Sequence, residues 1–74
     1  MEKTLDCTGL ACPLPVVKTN QAMKDLQSGE RLRLISTDHG SANDIPAWAR
    51  RTGHAIVSAQ EDGGKFVFLI EKAG

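Results

Sequence analysis

The chain has 74 residues, nine Lys and Arg against nine Asp and Glu, and 41% hydrophobic residues, with two Phe and one Trp as its only large aromatics. A chain this short buries only about 60% of the surface that its unfolded form exposes, so a single small domain over residues 1–74 is expected and a two-domain reading is ruled out. A formal net charge of zero with ordinary apolar content argues against disorder and weighs against nucleic acid or an acidic membrane surface as a partner, since both demand a surplus of Lys and Arg.

Residues 4–7 read as a short strand, with apolar Leu5 between polar Thr4 and Asp6, and Cys7 is counted onto the face opposite Leu5. Gly9 marks a loop. At Cys12-Pro13-Leu14-Pro15 the period changes: Val16, Thr19, Met23 and Leu26 recur at helical spacing, while Lys18, Gln21, Lys24 and Asp25 turn outward. Pro13 suits the first helical position, where a missing N–H costs nothing, and Pro15 still lies in the first turn, which makes Cys12 the expected N-cap. Gly29 supplies the expected left-handed stop after Ser28.

Arg31–Ser36 alternates, with Leu32 and Leu34 on one face, and reads as a second strand followed by the turn Asp38-His39-Gly40. Over residues 41–52, Ile45, Trp48, Ala49 and Thr52 share a helical face that ends at Gly53. Its start has two readings: Ser41 with Asp44 resembles a capping box, whereas Asp44 with Pro46 behind it begins the helix later. Two further strands, residues 54–59 and 65–71, flank a four-residue hairpin loop, Glu61-Asp62-Gly63-Gly64. Phe66, Phe68 and Ile70 share one face of the last strand.

The order β-α-β-α-β-β closes most simply as a two-layer α/β sandwich of the α+β class, with both helices on one face of a four-stranded mixed sheet. Val67 and Leu69 then point to the other face, where coverage by a partner or by a second copy in a homodimer competes with plain exposure. No apolar run approaches the roughly 18 residues of a membrane span, and no stretch of signal-peptide type opens the sequence, so no membrane is expected as a partner and a cytoplasmic location is. A reducing compartment keeps Cys7 and Cys12 as thiols.

A thiol where a helix begins lies near unsatisfied N–H groups and the positive end of the helix dipole, which favours the nucleophilic thiolate. Pro13 and Pro15 remove two first-turn donors but stiffen the turn, leaving the Leu14 and Val16 N–H groups to stabilise sulfur; Lys18 adds positive charge if its side chain folds back, the plainer alternative being a solvated lysine. No feature brings His39 or His54 to Cys12 as a base, and four residues separate the cysteines where a redox motif has two. Cys7 reads as a small buried residue, with a resolving thiol as the alternative. Zinc on Cys7, Cys12, His39 and His54 has the right donor types but no standard spacing, so neither a metal nor a cofactor is expected. One activated, exposed cysteine on a domain too small to enclose a substrate suits a carrier that delivers sulfur into a partner's active site.

The residues Gly9-Leu10-Ala11-Cys12-Pro13-Leu14-Pro15-Val16, with Asp44-Ile45-Pro46-Ala47-Trp48-Ala49, Gly53-His54 and the closing Phe66-Val67-Phe68-Leu69-Ile70, resemble the TusA/SirA family of small sulfur carriers across nearly the whole chain. The resemblance implies a two-layer sandwich whose Cys12 accepts sulfane sulfur as a persulfide, with Pro13 and Pro15 as its rigid support. It further implies a cysteine desulfurase or a rhodanese as donor and a DsrE-type or other sulfur-relay protein as acceptor, in tRNA 2-thiouridine synthesis, molybdenum cofactor routes or sulfur oxidation. On that reading the chain is a sulfurtransferase-type carrier rather than an independent enzyme. Thr8 and His39 depart from the Arg and Pro found in many members. Two rivals remain: a regulatory or RNA-interacting module using Arg31, Arg33, Arg50 or Arg51, and a redox protein cycling a Cys7–Cys12 disulfide.

Overall fold

The computed structural model describes residues 2–11 and 13–73. Its elements are β1 (Glu2–Cys7), α1 (Leu14–Lys24), β2 (Arg31–Ser36), α2 (Ser41–Thr52), β3 (Ala55–Asp62) and β4 (Lys65–Glu71). The sheet runs β1-β2-β4-β3, with β1 parallel to β2 and β4 antiparallel to both β2 and β3. This is the mixed four-stranded α+β arrangement expected from the sequence.

Strand alternation decides the two faces. Leu32 and Leu34 of β2 and Phe66, Phe68 and Ile70 of β4 are buried beneath the helices, as are Ile45, Trp48 and Ala49 of α2 and Met23 of α1. Arg31, Arg33, Lys65, Val67 and Leu69 alternate with them and face the other way; Val67 and Leu69 are only half-buried there. Leu5 and Cys7 are two residues apart in a strand, so they share the inner face, and the opposite-face count for Cys7 is wrong.

Several boundaries also differ from expectation. The first i→i−4 bond of α1 runs from the Val17 N–H to the Pro13 carbonyl (3.0 Å), which makes Pro13 the cap and Leu14 the first helical residue, one position later than expected. Cys12, expected as the N-cap, lies outside the described residues. The buried stripe of α1 is Pro15, Thr19 and Met23, with Val16 displaced to the flank of the core. Thr19 satisfies its buried hydroxyl by donating to the Pro15 carbonyl at 2.6 Å. The helix ends at Lys24, not at Gly29, because the Asp25 and Leu26 N–H groups shift to i→i−3 acceptors on Ala22 and Met23 (both 3.1 Å). Gly29 (φ +87°) instead turns the chain into β2, where its N–H meets the Lys72 carbonyl at 3.0 Å.

The second helix begins at Ser41 and no capping box forms. Ser41 is buried, and its hydroxyl bonds that of Ser36 at 2.8 Å, tying the end of β2 to the start of α2. Position 40 carries the cap with no side chain because a Cβ there would lie 3.0 Å from Asp38 Oδ2 and 3.4 Å from Asp44 Oδ2. Pro46 is accommodated within α2, and Gly53 (φ +84°) ends it with its N–H on the Ala49 carbonyl at 2.9 Å. The β3–β4 hairpin is tighter than expected. Glu61 and Asp62 pair with Phe66 and Lys65, which leaves Gly63 (φ +57°) and Gly64 (φ +85°) as a two-residue turn of the type that demands left-handed backbone at both positions.

After β4 the chain clasps both layers. Lys72 Nζ donates to the Leu26 carbonyl (2.6 Å), and the Ala73 N–H donates to His54 Nδ1 (3.0 Å). That last bond requires an unprotonated Nδ1; partial burial and the Lys72 charge both push the His54 pKa down.

Two outcomes follow for stability. Leu34→Ala, at a fully buried position, lowers unfolding free energy by about 2–5 kcal/mol, whereas Val57→Ala, at a position 44% exposed, stays within about 0.5 kcal/mol; thermal and urea melts compare them. His54 is held neutral in the folded chain, so the unfolded chain takes up its proton first. Stability therefore falls as pH drops through about 6.5, the ordinary histidine value, and His54→Gln flattens that part of the pH–stability curve.

Candidate functional site

Between β1 and α1 the backbone is held by short-range bonds that the sequence encodes locally. Thr8 donates both its N–H (2.9 Å) and its hydroxyl to Asp6 Oδ1, which turns the chain off the end of β1 and holds the Asp6 carboxyl below the usual range. The Leu10 N–H returns to the Cys7 carbonyl at 3.1 Å, and Gly9 (φ +83°) donates its N–H to Thr37 Oγ1 at 2.9 Å. That last bond ties this loop to the one following β2. The two loops sit side by side because β1 and β2 are parallel neighbours that end together at Cys7 and Ser36.

Downstream, the Leu14 N–H is spent on the Ala11 carbonyl (2.9 Å). Of the two donors expected to stabilise sulfur, Leu14 is thus occupied. Pro13 is exposed at the cap, while Pro15 is buried and anchors the first turn in the core. Ala11 and Leu14, on either side of the Cys12-Pro13 pair, are exposed, Leu14 by 44%.

Lys18 is exposed, one turn along α1 from Leu14, and its ammonium charge reaches Cys7, which puts it beside the β1–α1 junction. Cys7 itself is fully buried; loss of hydration pushes its pKa up, with the Lys18 charge opposing and the Asp6 charge adding to the rise. A buried thiol held protonated is a poor nucleophile and a poor resolving partner. His39 sits exposed in its turn, edge-on to Phe66 at 5.7 Å, and His54 stacks on Trp48 at 5.3 Å. Among the described residues no three His, Cys, Asp or Glu side chains come together as a metal site. No helix among them is long and apolar enough to cross a membrane.

The arginines of the nucleic-acid reading are divided. Arg31 and Arg33 pair with Glu71 (3.3 Å) and Glu2 (3.2 Å) on the sheet face turned away from the helices, whereas Arg50 and Arg51 belong to α2 in the other layer. Sequence reading passed over two features of this region. One is the Asp6–Thr8 turn with its tie to Thr37, for which the Asp-x-Thr spacing was the available signal. The other is the pair of exposed apolar side chains Leu14 and Val17, three apart on α1 and outside its buried stripe.

Comparison with known proteins bears on the same elements. The family model described as Sulfurtransferase TusA matches residues 3–72. The sulfur carrier protein TusA of Allochromatium vinosum is 42% identical over 72 residues, covering 97% of this chain and 95% of its own. A putative sulfur carrier protein of Bacillus subtilis, YrkI, is also 42% identical, over 71 residues that cover 96% and 95% of the two chains. The crystal structure of a SirA-like protein from Desulfitobacterium hafniense superposes over 100% of both chains with a TM-score of 0.84 at 22% identity, a likeness of fold. With the match running from β1 through the Cys-Pro-x-Pro segment to the end of β4, this chain belongs to the TusA sulfurtransferase family.

Proposed function

We propose that the protein is a sulfur carrier whose Cys12 holds sulfane sulfur as a persulfide between a donor and an acceptor protein. The observation that carries this reading is the contrast between the two thiols. Cys7 is sealed in the core, whereas Cys12 stands in a Cys-Pro-x-Pro segment whose neighbours Ala11, Pro13 and Leu14 are exposed, in a chain whose relatives are named sulfur carriers.

The exchange needs no external oxidant. The Cys12 thiolate attacks the terminal sulfur of a donor persulfide; a new S–S bond forms at Cys12, the donor's S–S bond breaks, and the donor cysteine leaves as thiolate. The hydrogen on the transferred sulfur travels with it. An acceptor thiolate then attacks that outer sulfur and releases Cys12 as thiolate, so one sulfur atom has moved with no net change in oxidation state. The residues around Cys12 support each step by position. Pro13 and Pro15 fix the approach to α1, the positive end of that helix and the Lys18 ammonium favour thiolate over thiol, the Asp6–Thr8 bonds shape the preceding loop, and the Gly9–Thr37 bond holds it against the neighbouring one.

A cysteine desulfurase or a rhodanese is the donor this chemistry calls for, since both form protein persulfides; a DsrE-type or other relay cysteine is the matching acceptor. tRNA 2-thiouridine synthesis, molybdenum cofactor routes and sulfur oxidation are the candidate destinations.

Incubation with a cysteine desulfurase and cysteine, or with a persulfide-charged rhodanese, followed by intact-protein mass spectrometry tests the reading. Wild type and Cys7→Ala gain one sulfur atom that dithiothreitol removes, and Cys12→Ser gains none. A Cys12→Ser variant that still takes up sulfur, or a wild type that takes up none from either donor, contradicts it.

A further inference from the structure

An open groove of about 430 Å³ runs between the two helices, lined by Val16, Val17, Asn20 and Lys24 of α1 and by Trp48 and Arg51 of α2, among others. Its floor is apolar: Trp48 is buried, Val16 packs against the core, and Val17 is 43% exposed. Leu14 continues the apolar strip one turn back along α1 toward the Cys-Pro-x-Pro segment. Its walls carry amides. Asn20 is exposed and accepts from the Trp48 indole N–H at 3.4 Å, and Gln21 stands exposed beside it.

The charge of this groove is one-sided. Among the described residues, Lys24 on one wall and Arg51 on the other are its only charged lining residues, both are exposed, and neither is paired with a carboxylate. In a chain whose formal charges cancel, a cationic, amide-lined groove with an apolar floor is matched by an extended acidic segment carrying one or two apolar side chains. RNA fits it less well: two cations make a small footprint, and Arg31 and Arg33 are paired on the opposite face.

We infer that the α1–α2 groove is a docking site for an acidic, leucine-bearing peptide segment of a partner protein. The inference deepens the carrier reading and rests on it for its purpose, since a segment seated there lies along the helix that leads to Cys12. Its test requires no sulfur, so the two fail separately.

Trp48 supplies the probe, being the only tryptophan in a chain without tyrosine. An acidic decapeptide of Glu, Asp and two Leu is titrated against the full chain, and a matched peptide with Lys and Arg in place of the acids serves as the control. The acidic peptide is expected to change Trp48 emission saturably, to shift the amide resonances of Asn20, Gln21 and Thr52, and to bind more weakly as salt rises. The Lys24→Glu/Arg51→Glu variant is expected to bind it about tenfold more weakly, with Lys24→Gln/Arg51→Gln intermediate and the melting temperature of both close to that of wild type. Equal binding of the basic peptide, tighter binding of an oligouridylate, unchanged affinity in the Gln variant, or no saturable response to the acidic peptide overturns the inference.

Discussion

The register between the two central strands, β2 and β4, is the constraint on which the rest of the molecule depends. Leu32 stands opposite Ile70, Leu34 opposite Phe68 and Ser36 opposite Phe66, and all six are buried. The apolar members are each worth about 1.5–3 kcal/mol of burial, and a slip of one residue would turn those of the slipped strand away from the helices. Through Ser36 the same register reaches Ser41 and sets where α2 starts; through β1, which pairs with β2 in parallel, it sets where Cys7 ends its strand and the loop toward Cys12 begins. The position of the carrier segment is thus inherited from a core that contains none of its chemistry.

The two thiols illustrate how burial assigns roles. They are five positions apart, yet one lies buried at the end of β1, the strand packed against α1, and the other in a proline-bearing segment between exposed residues. Desolvation holds Cys7 as a thiol. A domain with so small a core gains from a buried sulfur and loses nothing by its inertness. For the segment around Cys12 the requirement is reversed. Pro15 anchors it in the core while Pro13 and Leu14 stay at the surface, which suits a group that must be delivered into another protein.

Much of this was legible in the residues. The element order, the end of α2 at Gly53, the inner faces of β2 and β4 and the Cys-Pro-x-Pro segment all follow from periodicity and punctuation, while the start of α2 stayed open between two readings. The misreadings have specific physical causes. Ser41 looked like a cap, but its hydroxyl is worth more paired with Ser36 in the core, and two carboxylates crowd the cap position itself. Gly29 looked like the stop of α1, but its left-handed backbone serves the turn into β2, after the helix has already unwound through Asp25 and Leu26. The start of α1 moved by one residue because the Pro13 carbonyl, still available on a residue without an N–H, accepts the first helical bond. The groove with its two unpaired cations was invisible to pattern reading because it depends on how α1 and α2 lie against each other.

Whether Cys12 and not Cys7 is the reactive sulfur is read from the rate of alkylation of each cysteine in the folded protein, with iodoacetamide across pH 5 to 10 and peptide mass spectrometry to separate the sites. Cys12 is expected to label rapidly with a midpoint below that of an ordinary thiol while Cys7 labels only on the timescale of unfolding. Equal labelling of the two, or a Cys12 midpoint at or above the ordinary value, would contradict it.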